Sequence, residues 1–302
     1  MLAPMAGVND PSFRSICKRL GASLTYTEMI SSKGLMYANP KTDRMLEFFE
    51  DEAPFAVQLF GNDPDTIARI STRLMERFGD VLALIDVNMA CPARKVARKG
   101  DGAALMRTPE LAFKILESAV KAVDIPVTVK FRKGYGLEED TAVEFALMAQ
   151  SAGVAAMTIH GRTALQFYHG TSDREVINRV SAAVSIPVIA SGDVFSCSDI
   201  EDYFSRGAAG VLVARGAQGN PWIFSQYASG CAYPSIKDRV AVSLEHAERL
   251  NDLDPDKLVS MRRHIAWYFK GTPHAASLRR SLNTCTTLDD YRFLLDEVLQ
   301  WA

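Results

Sequence analysis

The chain has 302 residues, of which 48% are hydrophobic, and its 34 basic and 36 acidic side chains leave a net charge of −2. That balance excludes a disordered or fibrous chain, and the length suits an α/β barrel with an appendage, or two domains. No run reaches the 18 or so apolar residues of a membrane helix, and "MLAPMAGVND" has no signal-peptide pattern, so a soluble cytoplasmic protein without a membrane partner is expected.

A first strand is expected at "LAPM" (2–5), then a helix over 10–20 that starts at Asn9-Asp10-Pro11 and stops at Gly21. Further strands are predicted at 24–29, 55–60, 82–88, 126–131, 155–160, 187–191 and 210–214, as continuous apolar runs suited to burial on both faces. Helical patterns over 64–78, 109–123, 138–152, 173–184 and 198–204 separate them. Eight strands with intervening crossovers predict a (β/α)8 TIM barrel over residues 1–233, with a doubly wound open sheet as the competitor. From about Pro234 strands vanish, and helices over 235–250, 256–270, 274–282 and 288–301 predict a small all-helical domain over residues 234–302.

Polar residues collect at the predicted C-terminal ends of the strands: Met5-Ala6, Glu28, Gln58, Asn88 to Cys91, Lys130 and Arg132, His160 and Arg162, Ser191 to Asp193, and Arg215. Barrel enzymes assemble their sites on that face from several strands at once. Lys130 ends an apolar strand, a costly position unless its ammonium meets an anion or a polar cofactor. His160 alone fits a satisfied structural histidine equally well. "ASGDV" and "ARGAQGNPW" follow the last two strands, where barrels bind phosphate, although two ordinary helix starts would read the same way.

In "VNMACPARKVARKGDGAALM" (87–106), Cys91 precedes a proline and lies among Arg94, Lys95, Arg98 and Lys99. Nucleophile, ligand, acid and buried bystander all remain open for it. "GDGAAL" imitates the start of G-x-G-x-x-G but lacks the third glycine and follows a basic loop, so a dinucleotide fingerprint is rejected. The five cysteines, Cys17, Cys91, Cys197, Cys231 and Cys285, form no C-x-x-C pair, which argues against disulfides and structural zinc. Residues 262–280 carry Arg262, Arg263, Lys270, Arg279 and Arg280 with no acid among them. That run is either a solvated face or a phosphate-binding surface.

"APMAGVNDPSFR", "VQLFGNDP", "DVNMACPARKVARKGDGAALM", "VTVKFRKG", "TIHGRT", "SGDV" and "ARGAQGNPWIF" together resemble the tRNA-dihydrouridine synthases, FMN-dependent enzymes of bacterial type. The match runs in order from Ala3 to about Phe224, and its N-x-x-C-P block is specific to that family. The resemblance implies FMN at the barrel mouth, lined by Pro4, Met5 and Ala6 and contacted by Gln58 and Lys130, with His160 on the phosphate side. Ser191, Gly192, Asp193, Ala214 and Arg215 would hold the ribityl phosphate. NADPH would reduce the FMN, with Asn88 and Arg132 holding the uridine. Arg162, Arg94, Lys95, Arg262 and Arg263 would approach the tRNA. Hydride transfer from N5 to C6 leaves C5 needing a proton, and Cys91 would be the general acid supplying it. No metal is implied, and a monomer is expected. Members usually begin with strand material before A-P-M, so either a short first strand or a truncated start is expected here. They commonly carry Asn-Gly-Asp and Gly-Arg where this chain has Ser191-Gly192-Asp193 and Ala214-Arg215. A flavin barrel acting on a free pyrimidine, like dihydroorotate dehydrogenase, and a tRNA-binding protein without chemistry are the alternatives.

Overall fold

The computed structural model describes residues 1–230 and 232–300. Cys231 and the end of the last predicted helix at Trp301 lie outside the described residues.

Seven strands form one parallel sheet in sequence order. They are β1 (Tyr26–Ser31), β2 (Phe55–Phe60), β3 (Leu82–Met89), β4 (Val127–Arg132), β5 (Ala156–His160), β6 (Val188–Ser191) and β7 (Gly210–Leu212). Their side chains are buried almost throughout, as expected of a parallel sheet covered by crossover helices. This is a TIM-barrel-like α/β fold.

The first expected strand is the exception. Residues 2–5 form no strand; only Leu2 pairs, as a single bridge to Val213. The Leu2 N–H donates to Leu24 O at 2.9 Å and the Ala3 N–H to Val213 O at 2.9 Å, so this short segment lies between the two edges of the sheet. Pro4 carries no N–H to extend the pairing. Asn9 completes the hold: its Nδ2 donates to Ala3 O at 2.8 Å and to Tyr26 O at 2.9 Å.

Helices Pro11–Arg19, Pro64–Phe78, Pro109–Ala122, Ala142–Ser151, Glu175–Ala183 and Cys197–Ser205 separate the strands. Three begin with proline, whose missing N–H is unneeded in a first turn. Asp10 and Asp63 cap two of these, each accepting a backbone N–H three residues on. The expected helix at 138–152 starts only at Ala142, because residues 134–139 turn back on themselves, with Gly136 N–H donating to Glu139 Oε2.

After Ile223–Ser229, four longer helices follow: Ile236–Leu253, Met261–Tyr268, Ala275–Leu282 and Leu288–Leu299. They share a core containing Leu250, Ile265, Tyr291 and Leu295, into which Ile16 and Trp222 also pack. The expected helix at 256–270 is split, its first turn being a 3-10 segment over Pro255–Ser260. Gly219, at φ +74°, sits against the Trp267 carbonyl so closely that a Cβ would lie 2.2 Å from it. Arg263 Nη2 donates to Gly7 O.

Asp10 anchors the deepest contact with these helices. Its carboxylate accepts from His246 Nε2 at 3.1 Å and lies 3.3 Å from His264 Nε2. Phe13 stacks on the His246 ring, and His246 Nδ1 meets Tyr268 Oη at 3.1 Å. Burial lowers His264 to about 4. Burial alone would raise Asp10, but His246 and then His264 outweigh it and hold the carboxyl well below its ordinary range. Among the described residues no helix is long and apolar enough to cross a membrane.

Candidate active site

A cavity of about 460 Å³ opens at the C-terminal ends of the strands. It gathers most residues that the sequence placed on this rim: Pro4, Met5 and Ala6, Gln58, Asn88 and Cys91, Lys130 and Arg132, His160, Ser191 to Asp193, and Ala214 with Arg215. The parallel register explains the convergence. Asn88 is paired with Lys130, Lys130 with Thr158, and His160 with Ser191, so neighbouring strands deliver these groups at similar depth.

Lys130 is buried, and its ammonium has no hydrogen-bond partner among the described residues. Burial, followed by the nearby Arg132 charge, lowers its pKa to about 8. An ammonium at the cavity wall with unused N–H donors calls for an electron-rich group in the cavity. Arg132 is better provided. Nε donates to Ala90 O at 2.8 Å, and Nη1 donates to Thr163 O and Phe167 O, both at 2.9 Å. These bonds tie the Cys91 loop to the loop after β5 and leave Nη2 free. Burial lowers Arg132 to about 10, and it stays charged at neutral pH.

His160 is buried, and burial together with Arg132, Lys130, Arg162 and Arg215 holds it well below its ordinary pKa, hence neutral. Gly192 fits against it: at φ +119° a Cβ would lie 2.7 Å from the His160 ring and 2.3 Å from Ser172 Oγ. The backbone N–H groups of Gly192, Ala214 and Arg215 have no protein acceptor among the described residues. Ala214 has φ −105°, so the position lies outside the left-handed region that favours glycine.

Cys91 is half-buried, on the loop between β3 and a short helix at Arg94–Ala97. Burial raises its thiol pKa, although the Ala93 N–H and the charges of Arg132 and Lys130 pull the other way. The thiol is therefore protonated at neutral pH. The four cations of this loop, Arg94, Lys95, Arg98 and Lys99, are all exposed. Gly102 explains the glycine pair of this stretch. At φ +61° it packs beneath the loop, where a Cβ would lie 2.8 Å from Cys91 O, and Ala103 N–H donates to that same oxygen at 3.0 Å.

Two expected placements change. Arg162, expected to approach RNA, is 2% exposed and turned inward. It makes a bidentate pair with Asp193 at 2.9 and 2.6 Å and donates to His169 O and Gly170 O. Its job here is to hold Asp193, which also accepts from Arg215 Nη2 at 2.8 Å. Asn88, expected at the uridine, spends its amide on the protein: Nδ2 donates to Gln58 Oε1 at 2.7 Å, and Oδ1 accepts from Ala90 and Cys91 N–H at 3.1 and 2.9 Å. Arg262 and Arg263 lie outside the cavity. Arg262 Nε donates to Cys285 O at 2.8 Å, and Arg263 stacks over Trp267.

The sequence reading missed Asp86 and Tyr168. Asp86 is a buried acid in the run "LALIDVN", and an unpaired carboxylate in an apolar strand was the available signal. Tyr168 is exposed beside the mouth, with the Arg132 and Arg215 guanidinium carbons 5.8 and 5.0 Å from its ring centre. No pattern in the sequence marks it.

A family model described as "Dihydrouridine synthase (Dus)" matches residues 1–301. A "Probable tRNA-dihydrouridine synthase" of Rickettsia bellii is 39% identical over 94% of this chain and 89% of its own length. A "tRNA-dihydrouridine synthase B" of Xanthomonas campestris is 37% identical over 95% of this chain and 88% of its own length. The protein of that name from Pseudomonas aeruginosa is 35% identical over 96% and 89%.

Proposed function

Since the chain belongs to the dihydrouridine synthase family, we propose that it reduces uridine to dihydrouridine in tRNA, as an oxidoreductase using FMN and NADPH. One observation carries the mechanistic reading: a single cavity holds an unpartnered buried ammonium, Lys130, and a protonated thiol, Cys91.

The donor set fits FMN. A cavity of about 460 Å³ lies in the range of cofactor sites. Lys130 can meet the electron-rich N1–C2=O edge of the ring system, where its charge favours negative charge developing there. The free N–H groups of Gly192, Ala214 and Arg215, with the Arg215 side chain, can hold the phosphate. A glycine at 192 leaves room where a side chain would strike His160. When bound and reduced by NADPH, FMN supplies the hydride that uracil C6 receives from N5.

The protein's own residues complete the addition. Cys91 gives its proton to C5, and the thiolate then regains one from solvent. A raised pKa favours this role, since it keeps the proton on sulfur at neutral pH. Arg132 turns its two free Nη2 hydrogens toward the uracil carbonyls, which leaves Asn88 to brace the loop. Arg94 and Lys95, exposed beside Cys91, reach tRNA phosphates. The fold is best read as a (β/α)8 barrel whose first strand is reduced to Leu2, with residues 234–302 as a helical domain presenting a second basic surface.

The test is direct. Purified protein should be yellow and should convert tRNA uridine to dihydrouridine with NADPH. Cys91→Ala should keep the flavin spectrum and lose about 100-fold or more of the product rate on tRNA. An undiminished rate overturns the acid role. A protein that takes up no flavin overturns the whole reading.

A further inference from the structure

Asp86 lies beneath the cavity, 1% exposed, and touches neither the loop nor the mouth. Its Oδ1 accepts from Thr128 Oγ1 at 2.6 Å and its Oδ2 from Gln58 Nε2 at 2.7 Å. From Gln58 the bonds continue: Asn88 Nδ2 donates to Gln58 Oε1 at 2.7 Å, and Cys91 N–H donates to Asn88 Oδ1 at 2.9 Å. The four residues thus form one unbroken line from a buried carboxylate to the backbone of the cysteine.

This line has a direction. A carboxylate can only accept, whereas an amide side chain can face either way. Asp86 therefore obliges Gln58 to turn its NH2 inward and its carbonyl toward Asn88. Asn88 must then turn its own NH2 to Gln58, which leaves its carbonyl for the Cys91 N–H. Reversed, the line would set an NH2 against an N–H at the cysteine end, and the loop would lose its anchor. Thr128 fixes the carboxylate itself.

We propose that Asp86 is a positioning residue, whose carboxylate sets the direction of the Gln58–Asn88 amides and so fixes where Cys91 presents its thiol. The proposal rests on the reading of Cys91 as the proton donor. Asp86 touches none of the reacting atoms; its route to the cysteine is the two amides, while its charge separately raises the nearby Lys130.

Two measurements test it on the FMN-loaded protein. The first is the alkylation rate of the Cys91 thiol by iodoacetamide, read by mass spectrometry. Asp86→Asn, which no longer obliges Gln58 to face inward, and Asp86→Leu, which accepts nothing from it, should loosen the loop and raise this rate, the second at least several-fold; a wild-type rate in both overturns the proposal. The second follows flavin reoxidation after anaerobic reduction by NADPH and mixing with unmodified tRNA. Asp86→Asn should slow it about tenfold or more. In a Cys91→Ala background the same change should cost clearly less, because the part of its effect that passes through the cysteine is already lost. A cost repeated in full there marks a general structural role and overturns the proposal. If Cys91→Ala alone reoxidises at the wild-type rate, the acid reading fails, whereas a slow Cys91→Ala beside a fast Asp86→Asn sinks only the positioning role. Should Asp86→Asn not fold, Gln58→Met carries the test. It removes both amide bonds and cuts the line between Asp86 and Asn88, so faster alkylation is expected, and an unchanged rate overturns the proposal.

Discussion

Cys91 and Lys130 show how burial sets chemistry through two opposite shifts. Burial disfavours whichever form is charged, so it raises the thiol and lowers the ammonium. The thiol keeps its proton at neutral pH, and the lysine sits near 8. Lys130 is charged below that pH and loses its charge above it. Reduction of the bound flavin by NADPH should therefore fall as pH rises through about 8. Lys130→Arg, charged throughout, should abolish that fall, as stopped-flow absorbance across pH 6 to 10 will record. Gly102 is constrained as tightly as the groups it supports. At φ +61°, with Cys91 O 2.8 Å from the site of a Cβ, Gly102→Ala should cost about 1–3 kcal/mol in urea unfolding. It should also lower dihydrouridine formation more than it lowers flavin content.

At the scale of elements, the seam between the helix Pro11–Arg19 and the later helices carries a built-in pH dependence. His264 has a lowered folded-state pKa of about 4, below the 6.5 or so of an unfolded histidine. The stability it contributes is complete above about pH 6.5 and is lost as pH falls toward 4. Asp10, also depressed, contributes stability above about pH 3.9 that is lost only below it. Urea midpoints should therefore decline between pH 6.5 and 4. His264→Gln, which keeps a polar side chain but cannot titrate, should flatten that decline. A slope unchanged by the substitution would remove His264 as its source.

For the whole molecule, a net charge of −2 means that a polyanion must be met by patches rather than by overall attraction. Arg94, Lys95, Arg98 and Lys99 form one such patch beside the cavity, and Lys270, Arg279 and Arg280 form a second exposed set on the C-terminal helices. Arg262 and Arg263 are poorer probes of binding, since each also holds a backbone carbonyl. Arg94→Glu combined with Lys95→Glu should weaken tRNA binding about tenfold or more near 0.1 M salt. It should also shallow the log Kd against log salt slope by about one unit per lost phosphate contact. Filter binding across salt concentrations will measure both, and an unchanged slope would take this loop off the RNA surface.

The sequence by itself determined the sheet. Seven of eight expected strands form, because an apolar run suited to burial on both faces is local information, and the helices at Pro11 and Pro64 likewise start where Asp10 and Asp63 cap them. It also placed most of the cavity's polar residues, since a polar residue at the end of an apolar strand has few places to go but the rim. Direction was decided elsewhere. Nothing local says that Arg162 turns inward to Asp193, that Asn88 is spent on the Cys91 loop, or that the four loop cations leave the thiol alone. Those outcomes turn on partners distant in the chain, Asp193 for Arg162 and Gln58 for Asn88, 31 and 30 residues away, brought into reach by parallel register. The tertiary structure alone selected which partner each polar group met, because in a buried site a hydrogen bond is obligatory while its partner is not written in the neighbouring sequence.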